Sequence, residues 1–180
     1  MNEKIFNGKA EKLRSPQRRE MLQVNRVVAY CLSGIDPKSV LDIGAGTGLF
    51  AEAFLEAGLR VKGIDCNEDF VKLASEAVPG AEFKLAVAEK LPFDNASFDL
   101  VFMGHVLHES KDILVSLKEA YRVLRKRLAI LEWPYCEQEN GPPLEHRISA
   151  DQVLMAAGQA GFANADVISM KVMQLYILDK

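Results

Sequence analysis

Cysteine is scarce in this chain: three among 180 residues, far apart at Cys31, Cys66 and Cys136. An odd number at such spacing excludes a disulfide framework and offers no zinc-ligand pattern, so no metal is expected. Reduced thiols in the cytoplasm are the corresponding expectation. No apolar run reaches the roughly 20 residues needed to cross a bilayer. The first twenty residues, "MNEKIFNGKAEKLRSPQRRE", carry no apolar stretch of signal-peptide type. Membrane insertion is therefore not expected. Positive charge is not in excess either, the formal net charge being -3. The densest basic stretch, "RVLRKR" from Arg122 to Arg127, reads as a solvated helix end, where cations suit the macrodipole. Without a basic face, nucleic acid is not the expected partner.

What is present is ordinary for a folded domain. Hydrophobic residues make up 49% and charged residues 26% of the chain, and its length suits one domain with a substantial core. Strand-like apolar runs alternate with helical patterns, which predicts parallel β-α-β units. A helix is expected over residues 16–33, with Ser15 as cap and Pro16 at its first position. "SVLDIG", "LRVKGID", "AEFKLAV", "SFDLVFMG" and "LAILEW" read as five strands. "LFAEAFLEAG", "NEDFVKLASEAV" and "KDILVSLKEAYRVLRK" read as the intervening helices. After a long polar loop, "PYCEQENGPPLEHR", comes the helix "SADQVLMAAGQAGF". The stretch "NADVISMKVMQLYILDK" then reads as two strands turning near Met170. Strands joined without a helix pair antiparallel. The expected fold is α/β: a Rossmann-like, doubly wound, mainly parallel seven-stranded sheet with a C-terminal antiparallel hairpin.

The stretch "VLDIGAGTGLFAEAF" carries most of the functional information. A glycine-rich turn between strand and helix lets backbone approach a ligand, with free N–H groups at the helix start. Dinucleotide enzymes place the third glycine three positions after the second. Here Gly44, Gly46 and Gly48 are each two apart, and Asp42 stands where those enzymes keep an apolar residue. A carboxylate at the mouth of the turn would repel a diphosphate and suit an ammonium group. Asp65, ending the next strand, can accept both hydroxyls of a ribose, or simply cap the following helix. The ligand so described has a ribose, an amino group and no phosphates, and S-adenosyl-L-methionine meets that description.

On these residues the chain resembles the class I S-adenosylmethionine-dependent methyltransferases, over nearly its full length. The resemblance rests on "VLDIGAGTG", "VKGID", "AEKLPFDNASFDLVFMGHVLHE" and the terminal hairpin. Within that family it is similar to the small-molecule methyltransferases of ubiquinone and menaquinone biosynthesis. "KAEKLRSPQRR" and "GPPLEHR" resemble segments of one branch of them. The implied unit is a single methyltransferase domain over 1–180, with residues 1–33 as an N-terminal helical lid segment and 38–180 as the core. Phe6 and the Arg18–Arg19 pair would belong to that lid.

The resemblance implies S-adenosylmethionine as cofactor, S-adenosyl-L-homocysteine as product, and transfer to a small-molecule acceptor by in-line displacement. It gives Asp42 to the methionine amino group, directly or through water, Gly44, Ala45, Gly46 and Gly48 to the cofactor loop, and Asp65 with Cys66 to the ribose and its surroundings. Many relatives carry an Asp for adenine where this chain has Val87, so Ala88 backbone or Glu89 takes that place, unless Glu89 is a surface residue. Gly104 and His105 would line the methionine moiety. His105 and His108 are the candidate catalytic groups; His108 fits a general base or a packing role equally. Glu132, Trp133 and Arg147 are candidates for the acceptor side, with Arg147 anchoring an anionic group. Two rival readings remain: an S-adenosylmethionine-binding partner protein without catalysis, and a nicotinamide-dependent oxidoreductase, which would want the longer glycine spacing.

Overall fold

A computed structural model of the chain describes residues 13–180. Among the described residues two short helices, α1 (Pro16–Met21) and α2 (Val24–Leu32), precede the sheet. Ser15 caps α1 by accepting from Arg18 N, with Pro16 at the first position as expected. The single helix predicted over 16–33 is broken at Gln23, whose backbone is left-handed at φ 51°. Gln23 Oε1 accepts from Lys171 N at 2.9 Å, a long-range tie that helix periodicity does not encode.

The alternating units follow. They are β1 (Ser39–Ile43), α3 (Leu49–Glu56), β2 (Arg60–Asp65), α4 (Glu68–Ala77), β3 (Glu82–Leu85), β4 (Phe98–Gly104), α5 (Ile113–Val123) and β5 (Leu124–Glu132). Then come α6 (Ala150–Ala160), β6 (Asn164–Ser169) and β7 (Gln174–Asp179). Asn67 caps α4, and Ser149 with Gln152 forms a capping box on α6, so both helix starts are locally encoded. The sheet order is β3-β2-β1-β4-β5-β7-β6, parallel through β5, with β7 antiparallel to both its neighbours. This is the expected seven-stranded Rossmann-like sheet.

Alternation along the strands divides the core into two layers. Val40, Leu100, Phe102 and Leu131 face α2 and α3. Leu41, Ile43, Met103 and Ile130 face α5 and α6. Chain order reverses between β1 and β4, and the strand tips at such a switch leave a crevice.

One expectation is corrected here. "RVLRKR" is not a solvated helix end: α5 stops at Val123 and Leu124 already belongs to β5. The cations are held in the fold. Arg122 pairs with Glu119 at 2.7 Å, Arg125 with Asp99 at 2.9 Å, and Arg127 with Asp179 at 2.6 Å. Arg127 also donates to Ser33 O, joining β5 to the end of α2.

Candidate active site

At the β1–β4 switch the structure has a cavity of about 620 Å³. Its floor is the glycine loop. Gly44 (φ +67°), Gly46 (φ +55°) and Gly48 (φ +83°) all adopt left-handed backbone. A Cβ on Gly44 would stand 1.9 Å from Val106 Cγ2, so only glycine lets the β1 and β4 loops close together here. Gly44, Ala45 and Gly46 border the cavity, while Gly48 caps α3 just behind.

Asp65 ends β2 at the lip. Its Oδ2 accepts from Gly46 N at 2.8 Å and its Oδ1 from Asn67 N at 2.9 Å. Each oxygen keeps a further lone pair for a ligand hydroxyl. Burial raises its pKa, and those backbone donors only partly offset the rise. Cys66 also borders the cavity; its thiol pKa is raised by burial and then by Asp65, which keeps it an unreactive thiol. Ala88 and Glu89 form the neighbouring wall with the half-exposed Val87. Glu89 Oε1 accepts from Lys111 N at 2.7 Å, a contact that ties two loops together.

Asp42 is placed differently from the expectation at the mouth of the turn. Strand alternation turns its side chain toward α3, beneath the loop and outside the cavity walls. Its Oδ2 is buried without a partner, and burial followed by the charge of Asp65 pushes its pKa up to about 8.

Gly104 and His105 follow β4 and line the cavity. His105 has φ 60°, donates its backbone N–H to Leu131 O, and stacks on Trp133 with ring centroids 5.6 Å apart. Its Nε2 is shielded from solvent and unpartnered, and burial holds its pKa well below the usual imidazole value. The ring is therefore neutral. His108 also borders the cavity and places Nδ1 2.8 Å from Glu132 Oε2. Glu132 is fully buried. It accepts from Leu107 N, His108 N and Trp133 N as well, so it orients the β4 loop and lies behind the cavity wall.

Trp133 lines the cavity beside Gly141. Arg147 does not reach the cavity. Its guanidinium donates to Pro134 O, Cys136 O, Asn140 O, Pro142 O and Gln138 Oε1, and lies 5.5 Å from the Trp133 ring centroid. With all three of its nitrogens turned to this loop, it shapes the loop rather than meeting a substrate anion. Among the wall segments not counted among the expected site residues are Thr47, the 140–142 stretch, and Arg18, which the sequence reading gave to the lid. Thr47, with an unpartnered buried Oγ1, was legible inside the glycine motif. The other two are brought in only by folding. Phe6 lies outside the described residues.

The site thus offers a hydroxyl acceptor at Asp65, a pressed glycine backbone, and unpartnered polar atoms on His105 and Thr47. These features fit an aminoacyl nucleoside such as S-adenosylmethionine. A family model described as a methyltransferase domain matches residues 41–130, half of the chain. The chain belongs to the methyltransferase-domain family.

A demethylmenaquinone methyltransferase of Chlorobaculum tepidum is 34% identical over 95 residues, covering 52% of this chain and 39% of that protein. An uncharacterised methyltransferase of Bacillus subtilis is 35% identical over 92 residues, covering 48% of this chain and 36% of that protein. The chain spans less than half the length of these curated relatives. A solved S-adenosylmethionine-dependent methyltransferase from Aquifex aeolicus superposes with a TM-score of 0.84 at 27% identity, covering 94% of this methyltransferase-family chain and 96% of the Aquifex one.

Proposed function

We propose that the protein transfers a methyl group from S-adenosylmethionine to a small-molecule acceptor. The observation that carries this reading is Asp65: a strand-tip carboxylate braced by Gly46 N and Asn67 N at the lip of the cavity. That bracing fixes both oxygens for a pair of ribose hydroxyls. When bound, the donor supplies an electrophilic methyl group on a sulfonium centre. The protein's part is to hold, orient and exclude water, which can contribute about 7–11 kcal/mol when alignment is good.

Removing the acceptor's proton falls to His108. As a carboxylate Glu132 only accepts, so Nδ1 of the neutral His108 ring carries the proton, and Nε2, 3.8 Å from Glu109 Oε1, is the nitrogen that takes one up. His105, neutral and stacked on Trp133, forms the wall beside it. Residues 38–180 are read as the core and the N-terminal helices as the cover over it. Unpaired Cys66 and Cys136, both exposed, support a reducing, cytoplasmic setting. The Chlorobaculum relative's name favours a quinone-type acceptor.

Calorimetric titration with S-adenosylhomocysteine tests the reading. Binding to the wild type is expected, and Asp65→Ala is expected to weaken it about tenfold or more, two hydrogen bonds to a charged acceptor being lost. Undiminished binding by Asp65→Ala would overturn it.

A further inference from the structure

Helix α1 is attached to the molecule by charge more than by packing. None of its six residues is buried, and only Pro16 and Met21 are apolar. Helix α2 is the opposite case, with Val24, Val27, Val28 and Cys31 in the core. The two meet at Leu22, which is buried, and at Gln23, whose backbone is left-handed and whose side chain is tied to Lys171 N. That joint is anchored. From it α1 extends beside the cavity, where Arg18 and Met21 form part of the wall.

The ties along the rest of α1 are a cluster of ion pairs. Arg14, just before α1, donates to Glu52 Oε1 at 2.6 Å and to Thr47 O, in the glycine loop, at 2.9 Å. Arg19 donates to Glu52 Oε2 at 3.0 Å and to Glu56 Oε2 at 3.1 Å. Glu52 and Glu56 are four residues apart on α3 and so share one face of it. The Glu52 carboxylate thus takes one arginine on each oxygen. These side chains keep between 26% and 62% of their surface in solvent. Pairs at that exposure are individually weak and are screened by salt. A helix with no buried residue and ties of this kind opens at little cost.

We propose that α1 is a lid on the cavity, hinged at Leu22–Gln23 and latched by Arg14 and Arg19 on Glu52 and Glu56, and that ligand enters and leaves when the latch opens. The proposal rests on the reading of the N-terminal helices as a cover, and it names what moves, what stays and what holds the lid shut.

Gating of this kind has a kinetic signature. While the open form is a minority, entry and exit both scale with its population. A weaker latch therefore speeds both and leaves the dissociation constant unchanged. A residue that shapes the ligand site instead changes the dissociation constant, mostly through the exit rate.

The test is stopped-flow binding of S-adenosylhomocysteine to the wild type and to Glu52→Gln, followed by the fluorescence of Trp133 on the cavity wall. The titrant is a zwitterion without net charge, so salt acts on the latch and not on its approach. Glu52→Gln removes the pairs with Arg14 and Arg19. It is expected to raise both rates together by roughly 3- to 20-fold, with the dissociation constant within about twofold of the wild type. Raising salt from about 0.05 to 0.5 M is expected to speed exchange in the wild type and to change the variant little. Glu56→Gln, which loses one exposed pair, should show the same pattern on a smaller scale.

Trypsin reads the same opening without a ligand. Cleavage after Arg18 and Arg19 in the ligand-free protein should rise in Glu52→Gln by a similar factor. Unchanged rates and unchanged cleavage in that variant overturn the proposal. So does a dissociation constant that rises while the entry rate stays fixed, because Glu52 would then act on the site and not on a lid. If the wild type binds no S-adenosylhomocysteine, the donor reading falls, and the trypsin comparison alone decides the latch.

Discussion

At the scale of single residues, Asp42 shows what burial does to a carboxyl group. With its pKa near 8 in the fold and an ordinary value in the unfolded chain, the native state holds a proton that the unfolded state releases. Across that interval the native state binds more protons, so Asp42 makes stability fall as pH rises, levelling off above about 8. Its favourable contribution is complete only below the unfolded value. Asp42→Asn, which cannot ionise, is expected to melt higher than the wild type at pH 8 and to match it at pH 3.5. Equal differences at both pH values would refute this account.

The Glu132–His108 contact has a direct spectroscopic consequence. Side-chain nitrogen NMR should find His108 as the Nδ1–H tautomer, with that proton slow to exchange. Glu132→Gln should mix the tautomers, since an amide can donate as well as accept. A wild-type ring found as the Nε2–H tautomer would contradict the assignment. Sequence reasoning singled out both residues but gave Glu132 to the substrate. Its neighbour in the fold, His108, lies 24 positions away, in the loop after the adjacent strand β4.

Among the elements, the loop after β5 shows how a long polar connector becomes a wall. Arg147 draws four of its backbone carbonyls inward, and Gly141, at φ +99°, packs where a Cβ would meet the Trp133 ring at 2.7 Å. Because Trp133 is the chain's single tryptophan, its fluorescence reports on this loop and on the His105 ring stacked against it. Arg147→Ala is expected to shift that emission to the red and to lower stability by about 1–3 kcal/mol, the cost of losing a charged donor to four part-buried carbonyls. Unchanged emission would mean that the loop holds without its anchor. The helix break at Gln23 belongs to the same scale. Each half of 16–33 has helical periodicity, and a contact with Lys171 decides where the halves part.

On the level of the whole molecule, the cavity is assembled from α1, the glycine loop, the β2 tip, the β4 loop and the loop after β5. A ligand that bridges these parts stabilises the native state as a unit. At S-adenosylhomocysteine a hundredfold above its dissociation constant, the gain is about 2.7 kcal/mol. That corresponds to a melting shift of roughly 5–11 °C for a chain of this size. A shift absent at saturating ligand would show that the parts do not respond together.

The sequence by itself determined the order of elements, the caps at Ser15, Asn67 and Ser149, the glycine loop and the strand-tip position of Asp65. All of these depend on local periodicity or on backbone conformations that particular residues favour. Only the tertiary structure decided that Asp42 turns away under α3, that Glu132 serves His108, and that Arg147 is absorbed by its own loop while Arg18 remains open to the cavity. A side chain's partner depends on which distant segment arrives beside it. Sheet register and loop packing settle that, and neither is a property of the residues taken in order.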